Sequence, residues 1–166
     1  MFGLFKSKPA PDGPIIVSHS TIIDCPPDEL YRIVDFADEM CWKKAVGSVE
    51  PTGEGTFLMK LDMAPELEFP VEVLETVPGA SYSYECRIVP KVGRLVRSVE
   101  RYDMSAENEG TLVTLTLLAE MDSGMTVKER KQESQMLDLA GHNALAKLKI
   151  HVENGVDTIR DIEAMQ

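Results

Sequence analysis

The sequence has no apolar run long enough to cross a bilayer. Its longest runs, such as Leu115 to Ala119, stop far short of the roughly 20 residues that a spanning helix needs. Cysteine is scarce: Cys25, Cys41 and Cys86 cannot all pair with one another and show no CxxC spacing. Neither a disulfide framework nor a zinc knuckle is therefore indicated, and a reducing cytoplasm fits best. There is no GxGxxG after a strand, no phosphate loop and no GxSxG, which sets aside dinucleotide redox chemistry, phosphoryl transfer and α/β-hydrolase activity. There is no HExxH-like pair, and the nine-residue separation of His142 and His151 does not match helical metal-ligand spacing, so neither a metal nor a cofactor is expected. The N-terminus, Met1 to Lys6, lacks a long apolar h-region, a small-residue cleavage site and a glycine at position two.

Positive charge is also in short supply. With 17 Lys and Arg against 28 Asp and Glu the net charge is -11, a field that repels phosphate backbones and makes nucleic acid an unexpected partner. The local exception is the group Arg87, Lys91, Arg94, Arg97 and Arg101. A solvated, charge-decorated sheet edge is the simpler reading of it, and an anion or headgroup site at a rim is the alternative.

The 166 residues, 43% hydrophobic and 27% charged, suit one globular domain with a substantial core. We place that domain at residues 15–166, after a flexible tail at residues 1–14 that contains Pro9, Pro11 and Gly13. Phe2, Leu4 and Phe5 give the tail an alternative role in weak membrane-surface contact. No internal repeat is present, so the order of elements carries the information. Ile15 to Ile23 is β-branched and apolar, the mark of a strand. Cys25-Pro26-Pro27-Asp28-Glu29 opens a short helix, with proline in its first turn and acidic groups at the positive end of its dipole. Leu30, Ile33, Val34 and Phe36 form its buried side, and a second short helical piece carries Phe36, Met40, Cys41 and Trp42.

From Val46 to Met121 the hydrophobic period is two, with turn residues between the runs, which predicts an antiparallel meander. After Asp122 the period becomes helical. Thr126 and Glu129 have the capping-box spacing, and Leu137, Gly141, Ala144, Leu148 and Val152 form a narrow apolar stripe. Gly155 is the expected stop, unless Ile159 and Ile162 prolong the helix. The elements together predict an α+β domain, a curved antiparallel sheet gripping one long C-terminal helix.

Turn lengths set strand register, and register decides which side chains share a face. A two-residue turn at Pro78-Gly79 pairs Val73 with Tyr84. A five-residue loop from Val89 to Gly93 pairs Tyr82 with Glu100, and a four-residue loop from Glu107 to Gly110 pairs Tyr102 with Leu115. A three-residue loop from Ala64 to Glu66 pairs Leu61 with Phe69. Every choice puts Phe57, Met59, Leu61, Phe69, Val71, Val73, Tyr82, Tyr84, Cys86, Tyr102, Leu115 and Leu117 on one face. Lys60, Glu68, Glu72, Ser83, Glu85, Arg97 and Arg101 fall on the other, which suits water.

The stretch Thr21-Ile22-Ile23-Asp24-Cys25-Pro26-Pro27-Asp28-Glu29-Leu30-Tyr31-Arg32-Ile33-Val34-Asp35-Phe36, with Trp42 after it, resembles the opening of the START-like (SRPBCC) superfamily. The later Glu109-Gly110-Thr111-Leu112-Val113-Thr114-Leu115 is similar to the Gly-Thr strand before that superfamily's closing helix. The group includes polyketide cyclases and dehydrases, lipid-transfer domains and coenzyme Q-binding proteins. The resemblance implies a helix-grip fold, with two short helices and the long one closing a cavity against a seven-stranded sheet. It implies no single reaction, and no family catalytic set matches.

The expected ligand cavity is lined by the shared face together with Trp42, Ser98, Glu100, Ala144 and Leu148. Glu75, Tyr82 and Glu100 fall side by side in this register, and two carboxylates flanking a phenol suit acid-base work. A wet Glu75 near its turn is the plainer reading. His19 shares its parity with Val17 and Thr21 and is either a satisfied core histidine or a base. Glu100, Tyr82 and His19 are thus the catalytic candidates. Three functions compete: carriage of a small hydrophobic ligand such as a lipid, isoprenoid quinone or polyketide-like aromatic; a cyclase- or dehydrase-like enzyme in the same cavity; and a non-catalytic interaction module. A small hydrophobic molecule is the expected partner, and a homodimer stays open.

Overall fold

The computed structural model describes residues 7–166. Residues 1–6, and with them the expected surface contact through Phe2, Leu4 and Phe5, lie outside the described residues. Strand β1 covers Ile15–Ile23. Helix α1, Pro27–Val34, begins with proline in its first turn followed by Asp28 and Glu29, and buries Leu30, Tyr31, Ile33 and Val34. A 3-10 turn, Trp42–Ala45, follows it. The expected second helical piece is therefore shorter and later, beginning at Trp42, while Phe36 sits buried in the preceding turns.

The meander runs through β2 (Gly47–Gly53), β3 (Thr56–Leu61), β4 (Phe69–Val77), β5 (Ser81–Cys86), β6 (Leu95–Glu107) and β7 (Gly110–Met121). With β1 they form one seven-stranded sheet in the order β1-β7-β6-β5-β4-β3-β2, and every neighbouring pair is antiparallel. Helix α2, Val127–Asn154, starts on the expected capping box, with Thr126 and Glu129 satisfying each other's backbone N–H. Gly155 ends it at φ 90°, and the chain turns into a separate helix α3, Val156–Ala164. Ile159 and Ile162 thus belong to a new element. Ile159 is fully buried, and α3 is tied back by Lys147–Glu163 (2.8 Å) and by Arg160 Nε donating to the Ala45 carbonyl (2.9 Å).

Two hairpin registers are as expected at their centres. Val73 pairs with Tyr84, Tyr102 with Leu115 and Glu100 with Leu117. Two others are displaced by two residues: Met59 pairs with Phe69, and Tyr82 pairs with Tyr102 where Glu100 was expected. A displacement of two keeps parity, so the same side chains still share the concave face. The tail also differs in its later part. Ala10 N–H donates to Met125, Val127 N–H donates to Lys8, and Arg130 donates to the carbonyls of Gly13 and Pro14. The stretch from Lys8 to Pro14 is thereby fastened to the start of α2: the Lys8 carbonyl meets an N–H that the first helical turn leaves unpaired, and the Gly13 and Pro14 carbonyls meet the Arg130 guanidinium.

The apolar stripe of α2 lies on β1 and β7, with Gly141, Leu145 and Leu148 buried. At Gly141 the fit is tight, because an added Cβ would stand 3.0 Å from Leu117 Cδ1 and 3.1 Å from His19 Cδ2. Replacing Gly141 with Val should overpack this contact and cost about 1–3 kcal/mol. Thermal denaturation should show the loss as a Tm drop of roughly 2–4 °C per kcal/mol for a chain of this size. An unchanged Tm would contradict the close seating of the helix.

Candidate functional site: the concave face

The row Val17, Leu117, Glu100, Tyr84 and Val73 crosses five strands through the middle of the concave face. Glu100 is its one ionisable carboxyl. Tyr84 Oη donates to Glu100 Oε2 at 2.5 Å and Tyr102 Oη donates to the same oxygen at 3.4 Å. Both tyrosines are almost wholly buried, and burial, reinforced by the Glu100 charge, pushes both phenols well above their ordinary range. They therefore remain donors. Among the described residues nothing hydrogen-bonds Glu100 Oε1, so this oxygen is left without a partner on the concave face.

The trio of Glu75, Tyr82 and Glu100 does not form. Ala80 N–H closes a turn onto Val77 (2.9 Å) with Gly79 at φ 71°, so three residues separate Val77 from Ser81 where two were expected. A register shift between Val73 and Glu75 absorbs the extra residue and sends Glu75 to the convex face. There it accepts from Ser81 and Arg101, which hold its carboxyl below the usual range. Tyr82 is structural: its Oη accepts from Phe36 N–H at 3.1 Å, pinning the turn after α1. His19 is remote from Glu100. Its Nε2 lies 3.0 Å from Asp138 and its ring stands edge-on to His142, under α2.

Of the expected lining, Trp42, Phe57, Met59, Val71, Tyr82, Tyr84, Cys86, Tyr102, Leu115, Leu117 and Leu148 are buried in the core. Leu61, Phe69, Val73, Ser98, Glu100 and Ala144 are only half-buried. Phe36 packs edge-on to Tyr84 (4.8 Å) and beside Phe57 (5.8 Å), filling the space under α1 with aromatic rings. The Cys25 and Cys86 thiols are pushed up to about 11 and about 12, chiefly by burial, so they stay protonated and are poor nucleophiles.

A cavity of about 420 Å³ opens between α1, the 3-10 turn, α2 and α3, lined by Ile33, Met40, Cys41, His151, Val152 and Arg160 among others. The sequence did not single it out, because α3 supplies its roof. A second cavity of the same volume lies outside the grip, between the Ala10 to Pro14 segment and the ends of β6 and β7. The basic group is spent on ion pairs: Arg87 and Arg97 with Glu85, Arg97 also with Glu120, Lys91 with Asp122, Arg94 with Glu129, and Arg101 with Glu75 and Asp103. The group is solvated and paired, as the simpler reading held, but it is not a sheet edge: it lies on the convex face of β6 and in the connection from β5 to β6, and both strands are interior to the sheet.

Two outcomes follow from these contacts. Tyr84→Phe removes the shorter bond to Glu100 and should destabilise the fold by about 1.5–3 kcal/mol in denaturant titration; a neutral result would contradict that bond. His151 has a buried Nδ1 without a partner, and burial lowers its pKa from near 6.5. Below about pH 6.5 the unfolded chain takes up a proton that the folded imidazole refuses, so stability falls with pH down to the depressed native value. His151→Gln should show a shallower loss over that window than the parent chain. Parallel curves would remove His151 as the cause.

No family model matches the sequence, and no curated protein does. Solved structures do. The di-domain ARO/CYC StfQ from the steffimycin biosynthetic pathway is 15% identical over 85% of this chain and 51% of its own, with a TM-score of 0.58. The chain spans about half of DynU16 as well, 48% of that protein. Ara h 8.0201 is 16% identical over 81% of this chain and 99% of its own, with a TM-score of 0.55. The Aha1 dimer from Colwellia psychrerythraea is 12% identical over 85% and 98%, with a TM-score of 0.59. At these identities the likeness is one of architecture: the chain has the START-like helix-grip fold.

Proposed function

We propose that the chain binds and carries a small, largely apolar molecule, of the lipid, isoprenoid quinone or polyketide-like aromatic class, in the grip of sheet and α2. The observation that carries this reading is the half-uncovered strip along the concave face. Leu61, Phe69, Val73, Ser98 and Glu100 sit inside the curve of the sheet, yet none is fully buried, because α2 rests mainly on β1 and β7. An apolar wall with one or two fixed polar groups is the usual make-up of a small-molecule site. Here the polar groups are Glu100 Oε1 and the Ser98 hydroxyl, which suit a ligand hydroxyl or other donor at one end of an apolar body. The cavity beneath α3 borders the same core through Ile33 and Cys41, but none of the strip residues lines it.

Native mass spectrometry of the purified protein should detect a copurifying apolar molecule. An apolar fluorescent probe, 1-anilinonaphthalene-8-sulfonate, should bind the stripped protein saturably. Ser98→Trp, which fills the strip, should weaken that binding at least tenfold, about 1.4 kcal/mol, while leaving the far-UV circular dichroism unchanged. A folded Ser98→Trp protein that binds the probe as the parent does would overturn the placement.

The enzyme reading survives on one observation, the Glu100 carboxyl held by two phenols with an oxygen to spare. Incubating the stripped protein with its copurified molecule distinguishes the two readings. A ligand recovered at unchanged mass supports carriage, whereas a change of mass that Glu100→Gln abolishes supports catalysis.

A further inference from the structure

The two edges of the sheet are built differently. The β2 edge carries Glu50 and Pro51 and loses register between Pro51 and Gly53, devices that discourage pairing with another strand. The β1 edge has none of these. It reads IIVSHSTII, with no charged residue, proline or glycine, and it pairs with β7 through all nine residues without a bulge.

The direction of its backbone groups is readable. A Cβ on Gly110 would stand 2.6 Å from the Ile23 carbonyl, so that carbonyl faces β7. The neighbouring Ile22 carbonyl accepts from Lys149 Nζ on the other side. Antiparallel alternation then turns the amides of Ile16, Ser18, Ser20 and Ile22 toward the open edge. Around His19 the strand reads nearly the same in both directions: Ser18 mirrors Ser20, Val17 mirrors the isosteric Thr21, Ile16 mirrors Ile22 and Ile15 mirrors Ile23.

We propose that β1 is a self-pairing edge, which joins β1 of a second copy of this chain antiparallel about a two-fold axis at His19 and makes the two sheets continuous. In that register Ser18 faces Ser20 of the second copy and Ile16 faces its Ile22. All of these residues direct their amides to the edge, so the ladder parity closes. The hydroxyl pairs Ser18–Thr116 (3.2 Å) and Ser20–Thr114 (2.8 Å) extend into rows across the axis. Ile16 and Ile22, 60% and 48% exposed on the convex face, cover each other. An uncharged strand meets its own copy without like-charge repulsion.

The helices leave room for this arrangement. Arg130 bonds the carbonyls of Gly13 and Pro14, and Glu153 accepts from Asp24 N–H, so α2 runs along the whole of β1. Gly141 meets Leu117 and His19 together, which places the helix over the β1/β7 boundary. Two such helices stand about two strand spacings apart, roughly 10 Å, which is the separation of packed helices. Lys149 gives up the Ile22 carbonyl and keeps Glu153 (3.0 Å).

Light scattering on the eluting full chain should give twice the monomer mass of 18.4 kDa in the micromolar range. Ser20→Pro removes an outward N–H that the monomer does not use, so it should halve that mass with circular dichroism unchanged. An independent test mixes Ser18→Cys with Ser20→Cys chains under mild oxidation. The mixture should give a disulfide-linked dimer that neither variant gives alone, since the native cysteines are buried. A monomeric parent, a folded Ser20→Pro chain that remains dimeric, or equal cross-linking in the single variants would each overturn the proposal.

Discussion

The seating of α2 on β1 and β7 governs the rest of this structure. A helix can come that close to a sheet only where its contact residue has almost no side chain, and Gly141 is that residue, wedged between Leu117 and His19. Because the helix axis is drawn to one side of the sheet, Leu145 and Leu148 bury fully there. On β3, β4 and β6, Leu61, Phe69, Val73, Ser98 and Glu100 are left half-buried beside inward neighbours such as Met59, Val71 and Tyr102 that are buried. The half-buried strip from Leu61 to Glu100 is therefore a consequence of where the helix sits, and a sheet gripped at its centre would not have it.

The interior polar groups divide by what they are bonded to. Tyr82 gives its oxygen to the Phe36 N–H and so belongs to the scaffold. Tyr84 and Tyr102 converge on one oxygen of Glu100, which satisfies a carboxyl that an apolar wall could not otherwise hold and leaves its second oxygen without a hydrogen bond. Polar groups on this half-buried part of the apolar face are thus few, Glu100 and Ser98, and they lie close together on β6. His151, by contrast, lines the cavity under α3, where burial with no partner for Nδ1 lowers its pKa from the ordinary value.

The outer surface follows a different rule. The convex face of β4 to β7 carries alternating charges that pair across strands, Glu75 with Arg101 and Glu85 with Arg97 and so on, with Arg97 reaching Glu120. Only β1 lacks them. Its Ser and Thr hydroxyls pair with those of β7, and its outward isoleucines stand in the open. A chain of net charge -11 that keeps one strand free of charge has an edge unlike all its other surfaces.

The period-two pattern of the sequence by itself determined which residues share the concave face. Parity survives a register displacement of two, so Phe69, Val71 and Tyr84 face inward whether or not their exact partners are foreseen. The capping box at Thr126 and the stop at Gly155 were equally local, since each depends on side chains or backbone angles within a single turn. Only the tertiary structure decided the fate of Glu75, because a third turn residue at Ala80 and the bulge that absorbs it depend on how β4 and β5 meet the curved sheet. The roof formed by α3 was decided in the same way, for Ile159 and Ile162 read as a continuing helical stripe until Lys147 and Ala45 supply the partners that hold a separate helix in place. Local periodicity carries the face of an element; the contacts between distant elements carry its position.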